Sequence, residues 1–144
     1  AFRNLAKVMH WAGRFPEAAR SASDALRLIP GDPESQYLLA DCLYKTGRPD
    51  EALIQFEQLL SQGDYPQAYV PLAELLIEQE RWQEAKSYLL PAMITEDEKG
   101  RPHVYFLLAK AHQQLGEREQ ALELLRELDR IAPNDPAIRS MMTD

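Results

Sequence analysis

The chain has 144 residues, 45% hydrophobic and 27% charged, the balance of one soluble globular unit of ordinary size. Its net charge of −7 argues against a general nucleic-acid binder. No apolar run approaches the roughly 18 residues that a bilayer span needs, so direct membrane insertion is not expected. The single cysteine, Cys42, leaves no intramolecular disulfide framework and no thiolate metal cluster.

The first helix is predicted over 1–12. Ala1-Phe2-Arg3-Asn4 opens directly into an amphipathic pattern, as though inside a helix, so the sequence reads as part of a longer array. Arg3, Lys7, Arg14, Arg20 and Arg27 against Glu17, Asp24 and Asp32 give residues 1–32 a charge of 5 − 3 = +2, leaving −9 for the rest. Gly13-Arg14-Phe15-Pro16-Glu17-Ala18 follows, and a second helix is predicted over 16–29. Glycine suits the left-handed residue just past a helix, proline the first position of the next, and an acid its first turn. The stretch is therefore a corner between two helices.

The same corner is written three more times, at Gly47-Arg48-Pro49-Asp50-Glu51-Ala52, Glu80-Arg81-Trp82-Gln83-Glu84-Ala85 and Gly116-Glu117-Arg118-Glu119-Gln120-Ala121. Its closing alanines fall 34, 33 and 36 residues apart. Helices are predicted on either side of these corners, over 34–46 and 49–62, 67–79 and 82–95, and 102–115 and 118–131. A ninth begins near 136. Pro33, Pro66, Pro102 and Pro136 open the helix pairs, with Asp32 and Asp135 placed as N-caps. In the third pair Glu80 stands where the glycine belongs. Pro71 requires its helix to start late or kink, and Pro91 is expected to bend its own.

Leu-Ala pairs recur at Leu5-Ala6, Leu39-Ala40, Leu72-Ala73 and Leu108-Ala109, answered in the second helices by Ala18/Ala22, Ala52/Phe56, Ala85/Leu89 and Ala121/Leu125. With the turn glycines and the closing Pro30 and Pro133, this set resembles the tetratricopeptide repeat, whose period is about 34 residues. The resemblance covers essentially the whole chain. It implies an all-α fold, a right-handed α-solenoid of helix–turn–helix repeats. The chain would form a single domain over 1–144, with repeats at 1–32, 33–65, 66–101 and 102–135 and a partial fifth at 136–144. Ile138 and Met142 lie on one face of that last helix, which is expected to serve as a makeshift cap. Uncapped repeat ends offer a route to self-association.

In this family the first helix of each pair lines a concave groove. By that resemblance the groove stripe is Arg3, Lys7, His10 and Trp11, then Tyr37, Asp41, Tyr44 and Lys45. Repeat three supplies Val70, Glu74, Ile77 and Glu78, and repeat four Phe106, Lys110, Gln113 and Gln114. Trp11, Tyr37, Tyr44, Val70, Ile77 and Phe106 are large groups off the expected core face, and aromatic anchors flanked by charge are the composition of binding hot spots. The expected partner is a peptide or helix of another protein, although Tyr37 and Phe106 could instead pack on a neighbouring helix. Some family members clamp a C-terminal carboxylate; Leu38, Gln67 and Pro71 stand where that clamp needs polar or basic groups, which disfavours it here.

His10, His103 and His112 do not share a metal-ligand spacing, and no phosphate loop or nucleophile elbow appears. No catalytic residue, metal or cofactor is assigned. His112 and Cys42 are read as packing residues, and Trp82 as structural. The expected function is a non-catalytic interaction scaffold. The alternatives are a spacer within a larger bacterial envelope or secretion assembly, and a regulatory appendage of an enzyme outside this segment; 11 arginines against 5 lysines suggest a GC-rich bacterial source.

Overall fold

Each corner is built by the same pair of backbone hydrogen bonds. Arg14 N donates to Met9 O and Gly13 N to His10 O, and the pattern returns at Arg48/Gly47, Arg81/Glu80 and Glu117/Gly116. This is the Schellman closure, which satisfies the last carbonyls of a helix and requires a left-handed residue at its apex. Gly13, Gly47 and Gly116 have φ of +77°, +81° and +78°, and Glu80 takes φ +60° in their place. The turn geometry thus overrides the residue type. A side chain in this region carries a steric cost that glycine does not. Glu80→Gly should therefore raise the stability of its unit by about 0.5–1 kcal/mol in urea denaturation, the relieved strain exceeding the added unfolded-state entropy. Unchanged or lower stability would show that Glu80 carries no strain.

The computed structural model describes residues 1–143; Asp144, the last residue of the expected ninth helix, lies outside the described residues. Nine helices and no strand occur among them: α1 Phe2–Trp11, α2 Phe15–Leu28, α3 Pro33–Lys45, α4 Pro49–Ser61, α5 Tyr69–Glu78, α6 Trp82–Thr95, α7 Arg101–Gln114, α8 Arg118–Ile131 and α9 Pro136–Thr143. A 3-10 turn, Pro66–Ala68, precedes α5. Pro71 therefore occupies the third position of a late-starting helix, where its missing amide hydrogen leaves no bond unmade. Around Pro91, α6 continues as one helix to Thr95. Asp32 caps α3 by accepting from Ser35 N, and Asp135 accepts from Ala137 N at the start of α9.

The chain forms two compact units, Ala1–Pro71 and Leu72–Asp144. In the first, α1 packs on α2, α2 on α3 and α3 on α4, with α1 also beside α3. Fully buried Ala6, Ala18, Ala22, Ala40 and Ala52 let these helices approach closely, and Phe56 and Leu59 supply the bulk. In the second unit α6 packs on α7, α7 on α8 and α8 on α9. Ala109, Leu125, Leu128 and Ile138 form a buried cluster there, with Phe106, Met141 and Met142 packed against it. Ile138 and Met142 of α9 thus pack on apolar surface of this unit.

Cys42 is fully buried, and burial first, then Asp41, pushes its thiol up to about 11. It is a packing residue with almost no thiolate at neutral pH. His112 is buried and held at Nδ1 by Glu117 Oε1, 3.0 Å away, which also takes Lys86 Nζ at 3.0 Å. The hydrogen bond from Lys86, then that from His112, keeps the Glu117 carboxyl below its ordinary range. A buried histidine at this apolar repeat position is thereby satisfied.

Candidate functional site

Residues three, four and seven apart share a helix face, and α1 lies beside α3, so the two stripes of the first unit meet. They meet as ion pairs. Lys7 Nζ is 2.8 Å from Glu34 Oε1, and Arg3 reaches Asp32 at 3.3 Å and Glu34 at 3.6 Å. One turn on, Asp41 Oδ2 takes His10 Nε2 at 2.6 Å and Lys45 Nζ at 3.0 Å. Lys45 also stands 5.0 Å above the centre of the Phe15 ring, whose edge-on neighbour at 5.5 Å is His10. Arg3, Lys7 and Lys45 keep well-exposed side chains. Such pairs contribute about 0–1 kcal/mol each. Their effect is to leave this face nearly neutral.

The aromatic groups divide. Trp11, at the end of α1, is 79% exposed. Tyr44 is half-buried. Tyr37 is half-buried against Phe56, ring centres 6.3 Å apart, and against Tyr65 at 5.5 Å. Burial first, then Asp41 and Tyr65, pushes the Tyr37 hydroxyl up to about 12. Tyr65 moves the same way through burial, then Glu34 and Asp32. Tyr37 thus packs inward, and Trp11 is the exposed aromatic of this face.

In the second unit Glu74 Oε1 pairs with His103 Nε2 at 2.8 Å. Phe106 packs against the cluster shared by α8 and α9, and Gln113 Nε2 donates to Met141 O at 2.6 Å. Gln113 is thus held by α9. Lys110 and Gln114 are exposed, and Lys110 pairs with no carboxylate among the described residues. Along α5, Val70 and Ile77 are half-buried and Glu78 exposed. Glu34, His103, Phe15 and Tyr65 are site neighbours that the stripe omits. Glu34 and His103 stand three residues before Tyr37 and Phe106, so extending the stripe by one turn would find them. Phe15 and Tyr65 lie off the stripe, and only the folded chain brings them in.

Among the described residues no group of three or more His, Cys, Asp or Glu side chains is placed to hold a metal ion, and no helix is long and apolar enough to cross a membrane.

Two family models match the chain. One, described as Anaphase-promoting complex, cyclosome, subunit 3, matches residues 11–92, and one described as Tetratricopeptide repeat matches residues 92–144. The chain belongs to the tetratricopeptide-repeat family. Its members are generally non-catalytic, and membership makes protein interaction the general class of its function. No curated protein matches this tetratricopeptide chain by sequence. Among solved structures it is similar to YrrB, described as a TPR protein with an unusual peptide-binding site, at 18% identity and a TM-score of 0.89. That match covers 98% of this chain and 72% of the other. MamA from Desulfovibrio magneticus RS-1 gives 19% identity and a TM-score of 0.83, over 98% and 79%. PilF of Pseudomonas aeruginosa gives 23% and 0.75, over 100% and 65%. These likenesses establish the fold: an all-α solenoid of helical repeats.

Proposed function

We propose that this chain is a non-catalytic scaffold that takes a peptide or helix of a partner protein on its first-helix faces. In the first unit that face comprises Arg3, Lys7, His10, Trp11, Asp41, Tyr44 and Lys45. In the second, Glu78, Lys110 and Gln114 are the exposed stripe residues. The exposure of Trp11 carries the reading: a large amphipathic ring held on a helix end, beside a face whose own charges are already paired, is the composition of an interface anchor. The peptide-binding description of YrrB favours the same ligand class.

Affinity capture from a lysate of the source organism tests it, with the intact protein on one column and Trp11→Ala on another. Trp11 is too exposed to hold the fold, so circular dichroism should be unchanged. A partner should bind the variant about tenfold more weakly or not at all. Equal retention on both columns would refute binding at this face. The internal pairing of Arg3, Lys7, His10 and Lys45 favours a second reading, a spacer that only sets distance, and the absence of any captured partner would support it.

A further inference from the structure

The second helices of the first unit carry a feature that the first-helix faces do not use. Between α2 and α4 runs a cleft of about 760 Å³, floored by Leu39 and Leu43 of α3. Along its α2 wall, Pro16 to Arg27 spans about 17 Å, enough for about five residues of extended peptide. Ala19 and Ser23 face this space. The other second helices carry Leu53 and Glu57, Lys86 and Leu90, and Leu122 and Arg126 at those two repeat positions. The cleft stays open because α2 presents short side chains there.

Its rim is basic on an acidic chain. Arg20, Arg27 and Arg48 line it, against Asp24 and Glu51. Arg27 pairs with Asp24 and Arg48 with Glu51, each three residues along its own helix. Both pairs are at the surface, where such pairs bind weakly, and a guanidinium has five donors, so each arginine retains capacity for a further carboxylate. Arg20 is exposed and pairs with no carboxylate among the described residues.

We propose that this cleft takes a short acidic peptide of a partner protein, its carboxylates on Arg20, Arg27 and Arg48 and an apolar side chain over Leu39. Charge complementarity selects the sign of the ligand, and the leucine floor selects peptide over a purely polyanionic chain.

The test is fluorescence anisotropy at low salt with a labelled peptide of alternating glutamate and leucine, and its lysine counterpart as control. The acidic probe should bind saturably and the basic one should not. Arg20→Glu, at an exposed position, and Ser23→Leu, which restores bulk, should each weaken binding by about tenfold or more. Trp11→Ala should leave it unchanged, which separates this cleft from the first-helix face. The proposal is overturned by no saturable binding, or by binding indifferent to both cleft variants. Loss with Arg20→Glu while Ser23→Leu binds normally would show bulk charge without a cleft. Displacement by a single-stranded oligonucleotide at equal concentration would reassign the site to nucleic acid.

Discussion

Phe56→Ala is expected to destabilise the first unit by about 3–5 kcal/mol in urea denaturation. Phe56 is fully buried in α4, and the Tyr37 ring rests edge-on against it. Removing its ring opens a cavity that α3 and α4 cannot close, because Ala40 and Ala52 already hold these helices at short range. The same repeat position is filled by Ala22, Leu89 and Leu125, all fully buried. Alanine is native at Ala22, where it clusters with Ala6 and Leu38. Each site is shaped to its own residue. A cost below about 1 kcal/mol would mean that Tyr37 swings inward to fill the space.

That contrast marks how far the sequence could be read. The helix ends were legible because glycine, proline and acidic residues act locally, and a corner written four times averages out its exceptions. Glu80 illustrates this: the repeat assigned it the glycine's place, and the backbone there is left-handed. The depth of the stripe residues was not legible. Tyr37 depends on Tyr65 in the loop before α5, and Phe106 on a cluster that includes Ile138 of α9. Both partners are distant in sequence and follow no repeat rule. The same holds for charge. Arg3 and Lys7 read as ligand-binding cations until Asp32 and Glu34, at the start of α3, neutralise them. A stripe fixes which residues share a face, and packing from outside it decides which of them a partner can reach.

Asp41→Ala is expected to cost about 1–3 kcal/mol, the price of leaving polar partners unpaired at a buried site. Asp41 is only 6% exposed and is the joint acceptor for His10 on α1 and Lys45 on its own helix. An ionised carboxylate can only accept, so Nε2 of His10 carries the proton in this bond. The other ring nitrogen, Nδ1, is buried with no hydrogen-bond partner among the described residues, so losing Asp41 would strand both sides of the imidazole. Lys45 is exposed enough to turn into water, and the penalty therefore falls on His10. Replacing His10 as well removes the stranded group. The double variant His10→Ala/Asp41→Ala should be more stable than the two single costs imply, by about 0.5–3 kcal/mol. Additivity within about 0.3–0.5 kcal/mol would show that the 2.6 Å contact contributes no coupling between α1 and α3. The polar link between the two stripes would then rest on the pairs of Arg3 and Lys7 with Asp32 and Glu34.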